Sequence, residues 1–168
     1  MTLWPIIRHA LLYGVILSAV LFALMLVAGR INPEIMLKDY PPDIQAYGPM
    51  SERSKRQRLP VGIVFIAIVL GVVIWSFQGV GTNPGGDIPF VTAFIHLFVV
   101  FSVFNVLDWL VLDWLIVVTI RPSFVILPGT EGLAGYEDYA FHFRGFLIGV
   151  VISLLVSVLV GGVVAAVF

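Results

Sequence analysis

Few residues in this chain can do chemistry, and most of them fall in one stretch. From Asn105 to Gly145 it reads NVLDWLVLDWLIVVTIRPSFVILPGTEGLAGYEDYAFHFRG. The polar groups that need a reason are Asn105, Asp108, Asp113, Glu131, His142 and Arg144. Asp108 falls within an apolar run, near its middle. An acid at that depth in hydrocarbon costs about 2.5–3.5 kcal/mol even on the lenient insertion scale, so it must be neutralised, paired or hydrated. Its chemistry would be that of a proton or cation relay. A hydrogen-bonded clamp between helices, with Asn105 one turn back or with another helix, is the plainer account. Asp113 and Arg144 come to one interface from consecutive apolar runs, which predicts a salt bridge. Asp113, Glu131 and His142 together have the donor types of a carboxylate/imidazole metal site. One histidine among scattered acids more simply predicts an interfacial ring bonded to its loop, and no metal or cofactor is assigned.

These groups need elements to hold them. The chain has 168 residues, 60% hydrophobic and 11% charged, with mean hydropathy +1.08. Soluble domains carry about 25% charged residues, so the solvent here is a bilayer. The fold class expected is all-α: a four-transmembrane-helix bundle forming one integral membrane domain over 1–168. Its helices run over about 6–28, 61–78, 89–120 and 141–167. A polar loop, 30–60, and a Pro/Gly-rich loop, 121–140, join them at one end. The first run is too long for a cleaved signal's apolar core and reads as an uncleaved span. Asn32-Pro33 starts a short helix through Lys38. Pro60 opens the second span. Gln78 to Pro89 makes a turn-rich connection, with Asp87 as N-cap for the third. The third span carries the duplication LDWLV-LDWLI with period five. On an α-helix five residues advance about 140° beyond a full turn, which keeps Asp108 and Asp113 off a common face. Trp114 suits an interface, while Trp109 packs deeper. The apolar run Phe124 to Leu127 reads as a short strand or an extended segment on the membrane, in a loop too small for a domain.

Charge sets the threading. Arg30, Lys38, Arg53, Lys55, Arg56, Arg58, Arg121 and Arg144 fall on one side and Arg8 on the other. By the positive-inside rule the 30–60 loop is cytoplasmic and both termini lie outside a multi-pass cell-membrane protein. Arg53, Lys55, Arg56 and Arg58 are first a topology signal. They also suit anionic lipid, at about 1 kcal/mol per basic residue near the surface. A net charge of −1 gives no argument for nucleic acid. The absence of cysteine excludes disulfides and thiolate chemistry. No HExxH, nucleophile elbow, phosphate loop or dinucleotide fingerprint is present. His9 and His96 belong to the other end, and two histidines alone do not make a site.

The fourth span has small residues at every fourth position: Gly145, Gly149, Ser153, Ser157, Gly161 and Ala165. Such a ridge lets helices approach closely in lipid. A shorter one, Ala10, Gly14 and Ser18, marks the first span. The ridge predicts packing against the first span, a copy of this chain or another protein, and with it a homo- or hetero-oligomer.

The pattern LDWLVLDWL…PSFVILPGTEG…FHFRGF resembles a group of small bacterial polytopic membrane proteins. It covers roughly Asn105 to Leu147 and brings no activity with it. Three functions remain. The first is a non-enzymatic membrane component associating through the small-residue face. The second is an oligomeric proton- or cation-handling protein using Asp108. The third is a membrane enzyme with a cytoplasmic-face site of Glu131, His142 and loop acids.

Overall fold

A computed structural model of the chain describes residues 3–80 and 86–167. It is an all-helical bundle with no strand among the described residues. Four helices are long and apolar enough to cross a membrane. They are α1 (Leu3–Ile31), α3 (Glu52–Phe77), the continuous helix Phe90–Ile120 that begins as α4 (Phe90–Leu107), and α5 (Tyr139–Val167). A single turn, α2 (Pro42–Gln45), and 3₁₀ segments at Pro33–Asp39 and Ala134–Glu137 fill the connections. Each spanning helix buries only a narrow stripe, while Leu12, Ile63, Leu70, Val151 and Leu159 stand exposed around the outside. Such a surface is compatible with a multi-pass membrane protein solvated by hydrocarbon.

Packing follows the small residues. α1 packs against α3 and α4, and α4 packs against α5. Gly14 of α1 faces Val103, where an added Cβ would sit 2.6 Å from the valine Cβ. Gly161 of α5 lies against the backbone of Phe94, an added Cβ meeting its N at 3.2 Å. Both ridges therefore close on α4 from opposite sides, and α4 is the hub. With an even number of crossings, the described ends of α1 and α5 come out at one face of the bundle. The connections of residues 32–51 and 121–138 gather at the other.

Several local readings are corrected. α3 starts at Glu52, not near residue 61, so Pro60 lies well inside it. The early start has a cause. Ser51 caps α3 by accepting from Ser54 N, and Glu34 takes the Ser51 N–H together with both serine hydroxyls. Asp87 does not cap α4, whose N-cap position is Pro89 with no side-chain bond. Residues 81–85 of that connection lie outside the described residues.

The run Phe124–Leu127 is not a strand but a turn whose alternate residues fold inward. Val125 and Leu127 are buried in a cluster with Leu37, Tyr40, Ile44, Met50 and Tyr136. Tyr40 OH donates to Val125 O at 2.6 Å, Leu127 N donates to Tyr136 OH at 2.9 Å, and Gly135 N to Asp43 Oδ2 at 2.8 Å. The turn at Gly129 has φ +85, and an added Cβ would strike the Tyr47 ring at 2.7 Å, so glycine is required there. The two loops thus build one small cap with its own core.

Candidate functional site

The site begins with a change of helical winding. From Asp108 to Ile120 the third span is a π-helix. Each N–H reaches the carbonyl five residues back, as Arg121 N does to Ile116 O at 2.9 Å. The Thr119 hydroxyl donates to Trp114 O over the same interval at 2.6 Å. The period of the LDWLV-LDWLI duplication is therefore the interval of the hydrogen bonds, which brings residues five apart onto neighbouring turns. Residues five apart come back beside one another, and the rings of Trp109 and Trp114 are 4.5 Å apart. Asp108 and Asp113 stand in the same relation, contrary to the α-helical expectation that they diverge. The segment ends at Arg121, in the left-handed region at φ 46, directly before Pro122.

Asp113 meets α5, but not at Arg144. Its Oδ1 stands 3.1 Å from Nδ1 of His142. The His142 side chain is 6% exposed and that of Asp113 27%. Arg144 is exposed and out of the site, so the expected Asp113–Arg144 bridge is replaced by an Asp113–His142 pair. The reason is helical phase: two residues along α5 turn the side chain by about 200°, to the far side. Glu131 is exposed on the cap. Among the described residues no three His, Cys, Asp or Glu are placed to hold a metal. Of the donor types Asp113, Glu131 and His142, only Asp113 and His142 meet, and the ring that was expected to bond to its loop bonds to the third span instead.

The pair borders a cavity of ≈ 100 Å³ at the junction of spans and cap. Its walls come from α1, the 3₁₀ segment, the π-helix, Phe124 and His142. Asp39 and Tyr40 also reach it. Tyr40 is pushed up from its ordinary pKa by burial, so its hydroxyl keeps its proton and gives it to Val125 O. Nε2 of His142 is buried and has no hydrogen-bond partner. A carboxylate at Nδ1 favours the tautomer with the proton there, which leaves the Nε2 lone pair free in the neutral ring. This is how a general base or a proton carrier is oriented.

Asp108 stands one π repeat deeper, half-buried. Asn105 does not serve it. The Asn105 amide donates to Phe146 O at 3.0 Å, and its side chain fills the notch at Gly149. The remaining ridge residues Ser153, Ser157 and Gly161 are buried, and Ser157 Oγ donates to Ser153 O at 2.6 Å. Of the ridge glycines only Gly145 looks onto open space, and Ala165 is half-buried. From Gly149 to Gly161 this face is occupied by α4 of the same chain.

Sequence reasoning missed Asp39, whose loop gave no sign of folding back under the third span. It also missed Ser76, which joins the two histidines at the opposite end. His9 Nε2 donates to Ser76 O at 2.8 Å, and Ser76 Oγ lies 2.8 Å from His96 Nε2. The histidine rings are 5.6 Å apart. Comparison with protein-family models, with curated proteins and with solved structures gives no match for this chain.

Proposed function

We propose that this is a proton-handling membrane protein working from its loop face, with the Asp113–His142 pair as the group that gains and loses the proton and Asp108 as the next station inward. The observation that carries it is a buried imidazole with a carboxylate on one nitrogen and nothing on the other, beside a cavity. The π-helix supports it by setting Asp108 in register behind Asp113, so that two acids and one imidazole follow one line into the bundle. An acid inside a span is a functional group by default when it faces such neighbours. The enzyme reading is weaker, because no serine, threonine or cysteine nucleophile borders the cavity.

The orientation belongs to the same proposal. Arg30, Lys38, Arg53, Lys55, Arg56, Arg58, Arg121 and Arg144 all lie at the loop end, which makes that end cytoplasmic and sets both termini outside. Arg53 and Arg56 are exposed there, where anionic headgroups would meet them.

The test is proton flux in liposomes carrying an internal pH-sensitive dye and a potassium diffusion potential. The wild type is expected to dissipate the gradient, and Asp108→Asn and His142→Gln to slow it about 100-fold, the scale of a lost proton-transfer group. A wild type as tight as empty liposomes, or variants that conduct like it, would overturn the proposal. A reporter fused to the C-terminus that reads cytoplasmic would overturn the orientation.

A further inference from the structure

A shallow groove runs along the outer side of α3 at the loop end, lined by Lys55, Arg58, Leu59, Gly62, Ile63 and Ile66. We infer that it seats one anionic phospholipid, its phosphate between Lys55 and Arg56 and one acyl chain laid along Leu59, Gly62 and Ile66. The inference deepens the headgroup contact proposed above, and rests on that orientation for its leaflet, the cytoplasmic one.

Helical phase aligns the parts. Lys55, Leu59, Gly62 and Ile66 recur at i, i+4, i+7 and i+11, one stripe of an α-helix, and all four are exposed. Gly62 leaves a notch in the stripe, since a Cβ added there would meet no atom within 4 Å. Arg56 stands about 100° round from Lys55, above Ile63. Depth agrees with phase. Pro60 to Phe77 spans roughly 27 Å at about 1.5 Å per residue, close to a hydrocarbon core of about 30 Å. The turn before Pro60 is then at headgroup level. Pro60 also has no N–H to give the Arg56 carbonyl, and an acceptor without its helical donor belongs among water and headgroups, not in hydrocarbon. From Lys55 to Ile66 the groove runs about 16 Å, the reach of a phosphate and the upper part of one chain.

Charge selects the headgroup. Arg56 is exposed and has no ion-pair partner among the described residues. Lys55 meets Glu52 at 2.6 Å in a pair exposed on both sides, and such a pair is loosely held. The Lys55 ammonium has three donors, of which Glu52 takes one. Arg58 is committed elsewhere. It donates to Ile35 O at 2.7 Å and meets Asp39 at 3.3 Å, so it walls the groove without holding the phosphate. Two reachable cations above an apolar groove complement one phosphate on an apolar chain. A zwitterionic headgroup brings an ammonium of its own towards the same cations and is disfavoured. A free phosphate leaves the groove unused.

The test is native mass spectrometry of the full chain, released from detergent that holds phosphatidylglycerol and phosphatidylcholine with identical chains. Expected is one retained phosphatidylglycerol per chain, preferred about 30-fold, the combined attraction of two basic residues near a surface. Lys55→Gln with Arg56→Gln should erase the preference. Arg53→Gln, about 160° round the helix from Lys55, should keep it. Gly62→Leu fills the notch and should lower retention of both lipids; it meets open space, so the fold is spared. Equal retention of both lipids by the wild type would overturn the inference. So would a preference that Arg53→Gln also removes, which is a diffuse basic surface and no seat. A second copy of the chain on this face in place of the lipid, or displacement of the lipid by excess glycerol 3-phosphate, which lacks the chains, would overturn it too. The C-terminal reporter separates the two claims. A cytoplasmic reporter with lipid retained sinks the orientation and leaves the seat, and an outside reporter with no lipid retained does the reverse.

Discussion

The bundle holds histidine at both ends and treats it in opposite ways. At the loop end His142 has Asp113 beside one nitrogen and a cavity along its side, its other nitrogen being unpartnered as Nδ1 of His96 also is. At the terminal end His9 and His96 are tied through one neutral residue, Ser76. Ser76 donates its own proton to Val73 O at 2.7 Å, so its oxygen accepts from His96 Nε2–H and the ring's tautomer is set. His96 is fully buried and packed against the Phe77 ring at 5.0 Å. The Cβ of any residue replacing Gly79 would overlap the His9 ring. No acid takes part in these contacts. A histidine with a carboxylate can take up a proton and remain paired, whereas one clamped between a serine and a phenyl ring gains nothing from doing so. The difference teaches that neither burial nor residue type marks the working end; the carboxylate and the empty space do.

The strongest way to break this contrast is to remove the charge and keep the shape. Asp113→Asn leaves an amide beside His142 Nδ1 and takes away the carboxylate. Proton flux should fall about 100-fold, while the melting temperature in detergent moves by only a few degrees. If flux is retained, the pair is a clamp like its counterpart and the two ends are alike.

The opposite result is expected at the other end. Ser76→Ala leaves the buried His96 N–H without its acceptor, a loss of about 1–2 kcal/mol on the scale of interhelical hydrogen bonds in membranes. Chemical or thermal denaturation should read that loss, with proton flux unchanged. A fall in flux with unaltered stability would give the terminal end a share in the relay.

How far these ends could be foreseen follows from what each depends on. The spans were legible because hydrocarbon solvation needs only runs of apolar residues; α5's small residues named the closing face but not its partner, since α4 was none of the partners the ridge suggested. The pairing of Asp113 with His142 was within view as part of a metal site, but Arg144 competed for the same acid and only the phase of α5 decides between them. The π-helix was not legible. The duplication's period of five was visible, yet it was laid on a 100° step, and the winding is a property of hydrogen-bond register that residue types do not announce. Asp39 and Ser76 were missed for a different reason. Each is brought to its site by a partner distant in sequence: Asp39 by the cap core of Tyr40, Val125 and Tyr136, and Ser76 by the side-by-side packing of α1, α3 and α4.

The cap that forms part of the cavity wall gives a smaller effect that sharpens the contrast. Tyr40→Phe removes the donor to Val125 O and leaves that buried carbonyl unpaired, at about 1 kcal/mol. The loop end should loosen alone. Hydrogen exchange should quicken over residues 122–127 and stay unchanged around Ser76. Equal quickening at both ends would show one cooperative unit and no separable cap.

The smallest effect is set by pH, through Glu34. Its carboxylate accepts from the hydroxyls of Ser51 and Ser54 and from the Ser51 N–H, and these bonds, the Ser51 hydroxyl's first, hold it below the ordinary glutamate value of 4.5. A depressed folded value means stability that is fully present above the unfolded pKa and is lost as pH falls through the folded one. Wild type should therefore exceed Glu34→Gln in stability by a constant margin at neutral pH. The margin should begin to shrink below about pH 4.5 and close as the carboxylate is protonated. Ser51 and Glu34 together begin α3, so the loss should appear first as fraying over Glu52 to Arg56, read by hydrogen exchange in that segment. A margin that persists to pH 2 would mean that Glu34 stabilises α3 by shape, as glutamine could, and not by charge.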